Sequence, residues 1–148
     1  MPKRMAYWLF KTEPETYAFD QLQKEGGTSW NGVRNFQARN FLRETKPGDL
    51  ALIYHSGAER AVVGIAKIKS APYPDLEKKG PKGDWVQIDI VHEEKLASPV
   101  TLATIKAHDK LQDLLLVRHT RLSCMPVKAA EYQEILKLAK LAPVEKTA

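Results

Sequence analysis

The strongest constraint on the fold is a set of short apolar runs, each of strand length and each stopped by residues that break regular structure. Tyr7-Trp8-Leu9-Phe10 ends at Lys11-Thr12-Glu13-Pro14. Leu50-Ala51-Leu52-Ile53-Tyr54-His55-Ser56 follows the turn Lys46-Pro47-Gly48-Asp49, and another run over residues 61–68 follows Gly57-Ala58-Glu59-Arg60. Near-continuous β-favouring runs of this length read as buried strands rather than helices. The stretch 85–92 alternates instead, which predicts Val86, Ile88 and Ile90 on the core face. Strands near 6–12, 50–56, 61–69, 85–93 and 121–125 then outnumber the helices. The expected fold is α+β, a small mixed β-barrel surrounded by helices. Gly64, inside an otherwise apolar strand, predicts a bulge or a close backbone approach.

Four helical segments fit between these strands. Phe19 and Leu22 before Gly26-Gly27 predict a short helix with a glycine C-cap. Ala38, Phe41 and Leu42 form one apolar stripe of a helix that begins near Asn35. Thr101 can cap a short helix through Ile105, and Tyr132, Ile135, Leu136 and Ala139 mark the last helix. Residues 71–84, rich in proline and glycine, form the longest loop, whose Lys78, Lys79 and Lys82 read as solvated.

Length and composition narrow the functional classes. A chain of 148 residues suits one domain. The lone Cys124 can form no internal disulfide, and no Cys or His cluster has zinc spacing, so neither a metal nor another cofactor is expected. No apolar run approaches the ~20 residues needed to cross a bilayer. The start of the chain lacks the apolar region of a signal peptide, so the expected compartment is the cytoplasm; a monomer is the expected state. A net charge of +5 tilts the partner toward an anion. The basic residues gather in two stretches, Arg34, Arg39, Arg43, Lys46 and Arg60 in one, and Lys106, Lys110, Arg118, Arg121 and Lys128 in the other.

The stretch Trp30-Asn31-Gly32-Val33-Arg34-Asn35-Phe36-Gln37-Ala38-Arg39-Asn40 carries the site hypothesis. Its asparagines and glycine favour turns and caps, which predicts an irregular segment presenting Trp30 as a pocket wall for a flat ligand. Lys11 and Thr12 stand at the end of one buried strand, and His55 and Ser56 at the end of another. Side by side, these strand ends would make a polar rim over an aromatic floor. Two readings stay open for several residues. Asn35 is a helix cap or a ligand contact, Arg39 and Arg43 meet phosphates or water, and His55 is structural or functional. No glycine-rich phosphate loop, dinucleotide fingerprint or nucleophile elbow is present, and His92-Glu93-Glu94 lacks the second histidine of a metalloprotease. Lys11, Glu13, His55 and Ser56 include acid–base and nucleophile types, but nothing in their spacing fixes a catalytic geometry. Catalysis is the lesser reading.

Four motifs, in order, resemble the EVE domain of the PUA-like superfamily: residues 7–14, residues 30–40, Tyr54-His55-Ser56, and Arg121-Leu122-Ser123-Cys124-Met125-Pro126-Val127. Thr12 stands where a serine is more usual, which keeps a hydroxyl. The long basic N-terminal extension of some relatives is absent, which favours the stand-alone form. The resemblance implies a β-barrel distantly related to YTH domains, and a reader that accommodates a modified base. Modified cytosine in DNA is favoured, with modified adenine or RNA as further options. On that reading the base meets Trp30, Lys11, Thr12, Asn35, His55 and Ser56, while Arg34, Arg39, Arg118 and Arg121 hold phosphates. The alternatives are an enzyme acting on a modified nucleoside or RNA, and a small-molecule sensor.

Overall fold

The computed structural model describes residues 6–31, 33, 35–76, 84–119 and 122–139. Among these residues seven strands form one mixed sheet. They are β1 (Tyr7–Thr12), β2 (Gly27–Trp30), β3 (Leu50–His55), β4 (Ala61–Ile68), β5 (Tyr73–Pro74), β6 (Val86–Thr101) and β7 (Cys124–Val127). The path runs β2-β6-β4-β3-β1-β7, with β5 paired to β6 off the path. β1 and β3 are parallel, and the other pairings are antiparallel. A parallel pair needs a crossover. Here it consists of α1 (Phe19–Glu25), β2 and α2 (Phe36–Glu44). The shorter helices α3 (Leu102–Lys106) and α4 (Leu115–Arg118) lead to β7, and α5 (Ala129–Leu138) closes the described chain.

The predicted barrel is corrected to an open sheet. Its end strands, β2 and β7, hold four residues each and do not pair with one another among the described residues. Helix α2 contacts β7, one end strand, and β6, the neighbour of the other, so it packs across the gap that backbone hydrogen bonds leave open. Unpaired strand edges are commonly covered by a helix in this way.

The core forms where the apolar runs predicted it. Every residue of β3 is buried, as are Trp8, Leu9 and Phe10 of β1. The Trp8 indole N–H donates to Asp49 Oδ2 at 3.0 Å, and the same carboxylate accepts from the backbone N–H groups of Ala6 and Lys46. That closes the turn before β3. In α5, Tyr132, Ile135 and Leu136 are buried, and the Tyr132 ring stacks on Tyr7 with centroids 4.1 Å apart.

Gly64 answers both halves of its expectation. The β3–β4 and β4–β6 registers shift beside it, and Phe19 of α1 lies directly over it. A β-carbon at position 64 would clash with the Phe19 ring.

One strand, β2, is absent from the sequence expectation, and another, β6, is longer than expected. Trp30 ends a strand rather than sitting on an irregular segment, because β2 pairs with β6 from Gly27↔Val91 to Trp30↔Ile88. β6 itself runs for sixteen residues, well past the predicted end.

Candidate functional site

A pocket of about 460 Å³ opens at the seam where the two ends of the sheet fail to meet. One wall comes from Thr28, Ser29 and Trp30 of β2, the other from Lys11 and Thr12 of β1 with Ser123 just before β7. The β1–α1 loop adds Thr16 and Tyr17, and the β2–α2 connection adds Asn31, Val33 and Asn35. The size falls within the ~300–1,000 Å³ usual for small-ligand sites.

Local hydrogen bonds set each wall. Lys11 N donates to Ser123 O at 2.9 Å, which draws Ser123 against β1. The N–H groups of Thr16 and Tyr17 both donate to Glu13 O, turning the loop back, and Thr12 Oγ1 donates to Tyr17 O at 2.8 Å. Ser29 Oγ donates to Asp89 Oδ1 at 2.9 Å, and the Tyr73 hydroxyl donates to the same oxygen at 2.6 Å. Asn35 caps α2 by accepting from Ala38 N at 2.9 Å. The cap and the pocket readings of Asn35 are therefore compatible, since the cap uses Oδ1 and leaves Nδ2 as the group it can offer a ligand.

Trp30 is more deeply packed than a fully exposed wall. Only 9% of its surface is accessible. Phe10 stacks on it at 5.6 Å and 29°, and Tyr17 meets it edge-on at 6.4 Å and 87°. It serves the core and the pocket at once.

Burial also shapes the ionisable groups. Partial burial lowers the Lys11 pKa from its ordinary value, and its ammonium sits 5.9 Å from the centre of the Tyr54 ring. The Tyr17 phenol is pushed up to about 12, chiefly by burial and then by its hydrogen bond to Glu25 Oε1, 2.7 Å long. Among the described residues, no carboxylate or imidazole lines the pocket.

The remaining expected site residues lie elsewhere. His55 has only 7% of its surface accessible. Its Nε2 accepts from Phe19 N at 2.9 Å, which assigns the ring proton to Nδ1, 2.7 Å from Glu59 Oε1. With both ring nitrogens engaged away from the pocket, His55 fastens the start of α1. Ser56 N donates to Thr12 O at 2.9 Å, with Oγ at 3.4 Å, so Ser56 supports the pocket strand from outside the lining. Arg39 lies outside the pocket lining, with its guanidinium over the rings of Phe36 and Trp85. Arg118 pairs with Asp113 at 3.1 Å on the surface. Arg34 and Arg121 lie outside the described residues.

Thr16, Tyr17, Thr28, Ser29, Asn31, Val33 and Ser123 line the pocket without having been singled out as site residues. Asn31, Val33 and Ser123 fall inside the quoted motifs. Nothing local marks Tyr17, which reaches the site through the turn at Glu13.

Fold and pocket together define a small mixed α/β domain with a polar and aromatic site at its open seam. The chain belongs to the EVE domain family, whose profile matches residues 6–138. Human thymocyte nuclear protein 1 is 31% identical over 93% of this chain and 76% of its own length. Among solved structures, a protein from Agrobacterium tumefaciens is 37% identical with a TM-score of 0.88, covering 93% of this chain and 97% of that one. The human THYN1 protein, solved in complex with 5-methylcytosine-containing DNA, is 28% identical with a TM-score of 0.84, covering 93% of this chain and 99% of that one. A YTH domain from Zygosaccharomyces rouxii, 16% identical with a TM-score of 0.57 over 97% of this chain and 93% of that one, shares the fold.

Proposed function

We propose that this domain binds nucleic acid by taking one modified base into the seam pocket, with 5-methylcytosine in DNA as the favoured ligand. The observation that carries the reading is the pattern of donor and acceptor groups in the pocket lining. Thr12 has committed its hydroxyl proton to Tyr17 O, so it offers a base only lone pairs. Lys11 and the amide nitrogen of Asn35 offer protons. A base that carries one amino donor beside ring and carbonyl acceptors, as cytosine does, complements that set. Val33 is the aliphatic side chain among the described lining residues, and it provides an apolar seat for a methyl group. The THYN1 complex with 5-methylcytosine DNA supports the choice of ligand.

A duplex base reaches such a pocket by flipping out of the stack, and a single strand presents it directly. The accessible part of Trp30 contacts the ring of the bound base. Phosphates are met by Arg34 and Arg121, and by Arg118, whose exposed pair with Asp113 is weak enough to exchange for a phosphate.

The test is binding of short DNA and RNA strands that differ only by 5-methylcytosine, 5-hydroxymethylcytosine or N6-methyladenine. The methylcytosine strand should bind about 5- to 140-fold more tightly than the unmodified one, the range that one methyl group supplies. Trp30→Phe keeps an aromatic ring against Phe10 and should weaken binding without unfolding the domain. Equal affinity for every strand, or an affinity indifferent to salt, would overturn the reading.

A further inference from the structure

Phe36 is 49% exposed, yet its ring is packed against another aromatic. It stacks on the buried Trp85 with centroids 5.0 Å apart and planes at 26°. The Arg39 guanidinium lies 5.1 Å from the Phe36 ring centre and 5.6 Å from that of Trp85. Arg39 is itself tied down, since Nη2 and Nε donate to Asn40 Oδ1 at 3.0 and 3.3 Å. A single exposed aromatic is ordinary and implies nothing alone. Three further facts set this one apart: its ring is stacked, a cation stands beside it, and it directly follows a pocket-lining residue in the chain. Asn35 lines the pocket, and Phe36 is one Cα step of ~3.8 Å further along the chain.

Position supplies the occupant. A strand that delivers one nucleotide into the pocket leaves the next at the rim, and flipping removes that neighbour's stacking partner. A fixed aromatic face at the rim replaces the partner. The adjacent guanidinium adds charge complementarity to a polyanion.

Resting on the function proposed above, we propose that Phe36 is a second stacking site, which takes the base next to the one in the pocket. Because every base has a π-face, this site adds affinity with little sequence preference.

The test is a cycle in protein and probe. The probe is a labelled DNA single strand with one 5-methylcytosine, and versions lacking the base on its 5′ or its 3′ side. Wild type should lose about 5- to 140-fold in affinity on one of the two abasic strands. Phe36→Ala should lose the same factor on the intact strand and nothing further on that abasic strand, measured well below its melting temperature, which loss of the stack on Trp85 lowers. Phe36→Trp should bind the intact strand like wild type. Full affinity of Phe36→Ala for the intact strand, or losses that multiply when both changes are made, would overturn the stacking site alone. Wild type that binds none of the strands would overturn the function proposed above together with it.

Discussion

The ends of β1 and β3 look alike in sequence and lie side by side in space, yet they do different work. Each is a buried apolar strand that runs out into polar residues, and Thr12 pairs with His55 in register. At the β1 end, Lys11 and Thr12 face the seam pocket. At the β3 end, His55 joins the start of α1 to Glu59, while Ser56 holds the carbonyl of Thr12. The difference lies in neighbours rather than residue type. β1 borders the short strand β7 near the open seam, whereas β3 is enclosed between β1 and β4. Beside the seam a polar strand end meets a cavity. Within the sheet it must find protein partners, because an unpartnered buried polar group is expensive.

Four substitutions or conditions test that division, beginning with the largest expected effect. Lys11→Met should weaken oligonucleotide binding by about 1.5–3 kcal/mol, the scale of a hydrogen bond to a charged group, while thermal stability changes little. A large fall in melting temperature with affinity intact would make the β1 end scaffold after all. His55→Ala should do the reverse. It orphans the buried Phe19 N–H and should lower stability by about 1–3 kcal/mol in urea unfolding, with the folded fraction binding as wild type does.

The next effect is bounded by the first. Binding to an anion favours the charged form of Lys11, so affinity is full below its pKa and falls as pH rises through it. Because burial lowers that pKa, the fall should begin at a lower pH than for an exposed lysine. Tyr17, at about 12, keeps its proton over that interval. Titrating affinity with a probe of cytosine and adenine only avoids bases that lose protons there, and Lys11→Arg should move the fall to higher pH. A decline unchanged by Lys11→Arg would assign it to other groups. Smallest of all, Ser56→Ala should change both stability and binding by no more than about 0.5 kcal/mol, since its side-chain contact is 3.4 Å long and its backbone N–H bond survives. A tenfold loss of affinity would return Ser56 to the site.

The same contrast explains what could be read in advance. β1, β3 and β4 were legible because their apolar runs are long enough to need burial on both faces. The helix start at Asn35 and the glycine end of α1 were legible because caps have local chemistry, with Gly26 at φ 84°. β2 was not, because Gly27-Thr28-Ser29-Trp30 is short and polar and becomes a strand only by pairing with β6. Four of the six expected base-contacting residues, Lys11, Thr12, Trp30 and Asn35, do meet at one pocket. They could be found because their motifs end elements at the seam. The placement of His55 could not, because a histidine that caps a distant helix and one that meets a ligand look the same in a single sequence.

Gly64 lies in the middle of β4, outside the pocket lining, yet it governs how closely α1 can approach the sheet. The loop from Glu13 to Tyr17 hangs between β1 and that helix, so the seating depth of Phe19 also sets where Tyr17 stands. Gly64 is therefore a clearance built into the back of the domain. Altering it by one methyl group would shift a wall of the seam from behind, without changing any atom that a ligand touches.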